Sequence, residues 1–110
     1  MYRRKVIGKA GEILAAIYLQ EKGFSIVEKN YLTKAGEIDI IASKDGVLHY
    51  IEVKTRGSGK YGTPEEAVDD KKLEKIERAA LLYRARNHPP QEYESVDVMA
   101  ITIDFLEGVM

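Results

Sequence analysis

The chain contains no cysteine, which excludes disulfide frameworks, thiolate metal sites and cysteine nucleophiles. A protein built this way fits a reducing compartment. A long apolar run is also missing. The opening Met1-Tyr-Arg-Arg-Lys-Val-Ile-Gly-Lys-Ala carries a basic patch, but Gly11 to Leu19 behind it includes Glu12 and reads as an amphipathic helix. Neither a signal peptide nor a transmembrane span is expected, and a cytoplasmic location is the default. Charge of one sign is not in excess either: charged residues make up 32% of the chain, yet the formal net charge is −1. Whole-chain binders of polyanions are usually basic, so any contact with nucleic acid has to come from a local patch. The near-neutral balance also fits acidic residues gathered for a metal. There is no internal repeat, low-complexity tract or linker. The 110 residues fit a single domain, 1–110, large enough to bury a core without crosslinks.

Periodicity supplies the elements. From about Lys5 to Lys22 the pattern predicts a helix, with Ile13, Leu14, Ile17 and Tyr18 as its apolar stripe and Gly23 as its stop. Gly8 and Gly11 lie inside it. Each costs about 1 kcal/mol against alanine, so either another element approaches closely there or the helix begins later. Phe24–Leu32, Gly36–Ser43 and Val47–Thr55 read as strands, with Asp45-Gly46 as a two-residue hairpin turn between the last two. A flexible glycine loop, Gly57 to Gly62, follows. Thr63, Pro64 and Glu66 form a capping box that predicts a second helix running to about Asn87, with Leu73, Ile76, Ala80 and Tyr83 on one face. Pro89-Pro90 ends it, and Ser95–Asp104 is a last strand. The order α-β-β-β-α-β implies an α/β fold: a mixed sheet made of a three-strand meander and a helical crossover, with helices packed on it.

The hairpin carries the chemistry. With Asp45 and Gly46 as the loop, Lys44 pairs with Val47, Asp39 faces Glu52, and Glu37 faces Lys54. Alternation then puts Glu37, Asp39, Glu52 and Lys54 on one face, and Ile38, Ile40, Ile51 and Val53 on the other. A three-residue loop would shift this register by one. Two carboxylates directly opposite have Cβ atoms about 5 Å apart and repel. Folding alone gives no reason for that, and a divalent cation does. Mg²⁺ takes oxygen ligands and keeps several waters, so two carboxylates and a substrate phosphate suit it. Lys54 could orient an attacking water or offset charge on a phosphate. The rival reading is a solvated strand face bearing Glu-x-Lys with an aspartate opposite. The apolar flanks, IDII and YIEV, weigh against it, because charges in such settings are usually paired or bind metals.

Asp39 followed by Glu52-Val53-Lys54 resembles the PD-(D/E)XK nuclease signature. The wider pattern is more specific: Gly8-Lys-Ala-Gly-Glu12, Gly36-Glu-Ile-Asp-Ile-Ile41, Tyr50-Ile-Glu-Val-Lys-Thr-Arg56 and Glu66-Ala-Val with Lys72 and Ala79-Ala80 behind it. These are similar, in that order, to the YraN-like family, small bacterial proteins regarded as relatives of archaeal Holliday junction resolvases. The resemblance implies a restriction-endonuclease-like core. It implies a catalytic set of Glu12, Asp39, Glu52 and Lys54, with Asp39, Glu52 and the Val53 carbonyl holding Mg²⁺ or Mn²⁺. Lys72 would be an accessory phosphate contact, and Glu37 and Arg56 would flank the site or touch the DNA backbone. Taken alone, Glu12 and Lys72 also read as ordinary solvated helix residues. His49 and His88 have the bland reading.

Arg3, Arg4, Lys5 and Lys9, then Lys54, Arg56 and Lys60, then Lys71, Lys72, Lys75 and Arg78 could form a basic rim around the acidic site. Phosphate contacts of this kind give affinity without sequence information. The expected partner is therefore DNA, including branched DNA, with Arg56, Lys60 and Lys72 as contacts. A homodimer follows from the resemblance, because the related resolvases act as dimers on two-fold junctions. The leading function is a metal-dependent DNA endonuclease. Its rivals are a nucleic-acid-binding protein that keeps the fold with little or no catalysis, and an interaction domain tied to DNA repair or uptake.

Overall fold

The computed structural model describes residues 2–57 and 69–110. Helix α1 (Tyr2–Glu21) leads into strands β1 (Ser25–Thr33), β2 (Gly36–Lys44) and β3 (Val47–Gly57). Helix α2 (Asp70–Asn87) and strand β4 (Tyr93–Ile103) complete the order expected from the sequence. The four strands form one mixed sheet, β1-β2-β3-β4. β1 and β2 pair antiparallel, as do β2 and β3, while β3 and β4 run parallel. A parallel neighbour needs a crossover, and α2 lies within it. No helix among the described residues is long and apolar enough to cross a membrane.

The hairpin register is set by its turn. Asp45 and Gly46 have φ of 50° and 78°, the left-handed pair that a tight two-residue hairpin turn requires. Lys44 therefore pairs with Val47, and the ladder continues to Ile40 opposite Ile51.

Each sheet face carries its own core. On one, Ile38, Ile41, Leu48 and Tyr50 pack with Ile76, Ala79, Ala80 and Tyr83 of α2. On the other, Ile40, Ala42 and Ile51 pack with Ala15, Ala16 and Leu19 of α1. The α2 face agrees with the periodicity, with Leu73 only half-buried. The α1 face does not. Ile13, Leu14, Ile17 and Tyr18, the expected stripe, are each about half exposed, at 51–54%. The reason is closeness: α1 lies on the sheet through its small residues, and bulky side chains at that contact would hold it away.

Gly11 marks the closest approach. A Cβ there would sit 1.9 Å from Thr55 Oγ1 and 3.1 Å from Thr55 Cβ. Thr55 Oγ1 is already buried, with no hydrogen-bond partner among the described residues, and a β-branched side chain has little freedom to turn away. Gly11→Ala is therefore expected to destabilise the protein by about 1–3 kcal/mol despite alanine's helix propensity advantage of about 1 kcal/mol. Urea unfolding should show this loss, and Thr55→Ala in the same chain should recover part of it.

Two further expectations are corrected. The second helix is not continuous from Thr63: Asp69 is extended, with φ −101° and ψ 171°, and caps the helix that starts at Asp70. Its carboxylate accepts the Lys72 N–H at 2.9 Å, satisfying one of the free amides of the first turn. The Thr63, Pro64 and Glu66 box lies outside the described residues. Secondly, Ile38 does not share a face with Ile40, Ile51 and Val53. It belongs to the α2 side, while the other three pack on the α1 side. Strand alternation breaks between Ile38 and Ile40, at Asp39.

Candidate metal centre and acidic cleft

The break at Asp39 builds the site. β1 has shifted register between Ile26 and Glu28, and beyond the shift Lys29 pairs with Ile40 and Tyr31 with Ile38. Asn30 thus lies opposite Asp39. Asn30 adopts φ 51°, a left-handed conformation that asparagine tolerates better than most residues. On the other side of β2, the ladder to β3 ends at Ile40–Ile51, one pair before Asp39 would meet Glu52. Instead, the Val53 N–H donates to Asp39 Oδ2 at 2.8 Å. A side-chain carboxylate has taken the place of a ladder carbonyl, which fixes Asp39 at the mouth of the splayed strands.

A cleft of about 300 Å³ opens there, lined by Gly36, Glu37, Asp39, Glu52, Lys72 and Lys75 with Ala35 and Ile76. Of the site and rim residues singled out in the sequence, Glu37, Asp39, Glu52, Lys72 and Lys75 share it. Lys54 lies one strand repeat beyond Glu52, and its amine meets that of Lys72. Glu12 reaches toward the same place from α1. Its Oε1 accepts a hydrogen bond from Asn30 Nδ2 at 2.8 Å, and its charge is felt at Asp39. The close seat of α1 at Gly11 is what lets the next residue approach. Arg56 is half-buried farther along β3. The side chain of Val53 packs on the α1 side, while its N–H binds Asp39. Lys60 lies outside the described residues.

Asp39 titrates unusually. Burial, first, and then the charges of Glu52, Glu12 and Glu37 push its carboxyl up to about 7, against the Val53 hydrogen bond, which lowers it. The lysines split in opposite directions. Lys54 is lowered, first by its hydrogen bond with Lys72, then by burial and the Lys72 charge. Burial disfavours the Lys72 cation, but its hydrogen bonds to Lys54 and Glu52 outweigh this, and the net shift is upward. Lys72 Nζ lies 3.1 Å from Glu52 Oε2. In this pair Lys72 is the proton donor and Lys54 the amine drawn toward its neutral form.

Among the described residues, no three histidine, aspartate or glutamate side chains come together as a complete metal cage. The donor set still fits Mg²⁺ or Mn²⁺. Mg²⁺ is commonly held through one or two carboxylates, with waters and substrate phosphates completing its shell. Asp39, half-buried and under the charge of three other acids, is a carboxylate that a cation would relieve.

His49 offers no second centre. Its Nδ1 pairs with Asp97 Oδ2, and Phe24 meets the imidazole edge-on. Ser95 Oγ donates to Asp97 Oδ1 at 2.6 Å. The serine thus binds the acid, so the three do not form a serine–histidine–acid relay.

Fold and site define a mixed α/β protein whose central hairpin carries an acid-and-lysine cleft. Residues 11–101 match the family described as "Uncharacterised protein family UPF0102". A UPF0102 protein of Syntrophomonas wolfei is 41% identical, over 89% of this chain and 85% of the relative. One from Alkaliphilus metalliredigens is 48% identical over 74% and 72%, and one from Alkaliphilus oremlandii 42% identical over 94% and 88%. The chain belongs to the UPF0102 family.

Sequence reasoning missed Asn30, which read as one polar residue in a strand, and Asp69, hidden by a stronger capping pattern upstream. A positive φ at an asparagine within a strand leaves no clear mark in the chain, whereas Asp69 did carry a signal: it stands three residues before Lys72, within reach of its amide.

Proposed function

We propose that this protein is a metal-dependent DNA endonuclease that hydrolyses phosphodiester bonds and acts on branched DNA. The observation that carries the reading is Asp39: a half-buried carboxylate that feels the charge of other acids, fixed by a backbone N–H, in a cleft that also holds two lysines. Asp39, Glu52 and the Val53 carbonyl would hold Mg²⁺ or Mn²⁺. When bound, the cation supplies Lewis-acid stabilisation of phosphate charge. The chain's own groups do the rest. Lys54, drawn toward the neutral amine, is suited to take the proton of an attacking water. Lys72 and Lys75 face the cleft as phosphate contacts, and Glu12, held by Asn30, stands beside Asp39 as an outer acid. Arg56 extends the contact along the backbone, and Lys60 is a further expected DNA contact. A homodimer would set two such clefts on a two-fold junction, and the cytoplasm is where such DNA is met.

A second reading, binding to DNA with little or no catalysis, draws on the Lys72–Glu52 pair, which compensates one acid without any metal.

The test is cleavage of labelled four-way junction, flap and plain duplex DNA in Mg²⁺ or Mn²⁺, beside Glu52→Ala. Metal-dependent cutting by the wild type, lost in the variant, is expected, with the junction or flap cut faster than the duplex. Metal-independent DNA binding without cutting of any substrate would favour the second reading.

A further inference from the structure

The Lys72–Glu52 pair does more than decorate the cleft. We infer that Lys72 is a resident cation: its ammonium occupies the Glu52 carboxylate until a divalent metal displaces it, and the displaced lysine becomes a grip for substrate phosphate. The inference rests on the metal-dependent reading above and names how that site is switched.

Three observations carry it. First, Glu52 is strongly shielded, its side chain 13% exposed, and Lys72 Nζ lies 3.1 Å from its Oε2. A shielded carboxylate requires a compensating charge, and among the described residues Lys72 forms its ion pair. Secondly, Lys72 springs from the first turn of α2, whose position the Asp69 cap fixes through the Lys72 N–H. The backbone is held while the side chain, 34% exposed, has an open path. Its flexible four-carbon stem carries a compact charge that can be re-aimed. Thirdly, the same cleft wall bears Lys75, so an ammonium leaving Glu52 moves along a surface already suited to a phosphate.

The exchange follows from distance. A Mg²⁺ ligated by Glu52 would sit about 2.1 Å from a carboxylate oxygen. An ammonium at hydrogen-bonding distance from the same group would then be a close like-charge neighbour, in a site where screening is weak. A metal that takes Oε2, the oxygen Lys72 holds, therefore displaces the ammonium from it. Metal loading and exposure of a phosphate-binding lysine are therefore one event, and a cleft without metal keeps that lysine engaged. Metal should bind before DNA is gripped at full strength.

The experiment is a calorimetric Mn²⁺ titration without DNA of wild type, Lys72→Met, Lys75→Met and Glu52→Ala, with Mg²⁺ titrated against the lysine ammonium resonances of ¹⁵N-labelled wild type. Lys72→Met, which keeps most of the apolar stem, is expected to bind Mn²⁺ about tenfold tighter, since the competing ion pair is gone. Lys75→Met should change affinity far less. In the wild type, the Lys72 resonance should shift and report greater side-chain mobility as Mg²⁺ is added. This last reading needs no variant and stands even if Lys72→Met folds poorly. Metal binding that is lost in Glu52→Ala but unchanged or weaker in Lys72→Met, or a Lys72 resonance indifferent to Mg²⁺ at saturation, overturns the exchange and leaves the metal site standing. No metal binding by the wild type overturns both.

Discussion

Lys54→Ala is expected to lower the rate of DNA cleavage by about 10²–10³-fold, the usual cost of removing one group that stabilises charge or moves a proton in a transition state. The loss should fall on the chemical step. Lys54 has no place among the proposed metal ligands, so the metal-induced rise in melting temperature should persist in the variant. Two further readings separate its possible roles. Arginine stays protonated at any working pH, so Lys54→Arg rescues activity if the residue serves as a fixed positive charge and fails if it must accept a proton. The structure favours proton acceptance. Lys72 donates to Lys54, and Lys54 is lowered from its usual 10.5. A base works in its unprotonated form, so the wild-type rate should rise with pH until Lys54 is deprotonated, at a pH below that of an ordinary lysine. A pH–rate profile under single-turnover conditions checks this. Full activity in Lys54→Ala would sink the assignment.

How far this site was legible depends on which forces write it. The Asp45-Gly46 turn is a local signal with a mechanism, and it fixed the register down to Ile40–Ile51. Glu37, Asp39 and Glu52 could therefore be brought together on paper, and they do share a cleft. Simple alternation then failed at the one place that matters. It assumes an unbroken ladder, whereas the backbone splays at Asp39 so that its carboxylate can accept from Val53. Opposite that break Asn30 of the neighbouring strand adopts a left-handed turn, a pairing across strands that no local signal marks. The α1 stripe failed for a related reason. Larger side chains at i, i+1, i+4 and i+5 look like a core face, but at a close helix–sheet contact Gly11, Ala15 and Ala16 form the buried seam and the larger residues face outward. Hydrophobic size and burial part company where an element must approach closely. The Lys72–Glu52 pair joins residues 20 apart in number across a crossover, and no periodicity reaches that far.

In metal-free buffer, Asp39→Asn is expected to make the protein more stable at pH 8 and to give no advantage near pH 4. The sign follows from linkage. Asp39 in the folded protein is raised from 3.8 to about 7. Between those values the folded state binds a proton that the unfolded chain has already released, so stability falls as pH rises. The favourable contribution is full below about 4 and gone above about 7. A shift of that size corresponds to about 4 kcal/mol with no screening, and because the carboxylate is partly exposed, about 1–2 kcal/mol is the realistic gain for the variant. For a chain of this length that is a melting-temperature rise of about 4–15 °C at pH 8. Asparagine suits the test because its Oδ1 can still accept from the Val53 N–H, so the strand junction is kept while the charge is removed. Thermal melts in chelator at pH 4, 6 and 8 check it. An advantage independent of pH would point to packing, and a loss at pH 8 would show that the charge is stabilising in the empty site. Adding Mg²⁺ at pH 8 should then reverse the order: the cation offsets the repulsion in the wild type and has lost a ligand in the variant. A wild type that is the less stable protein in chelator and the more stable one in Mg²⁺ holds an acid whose cost to the fold is explained by the ion it binds.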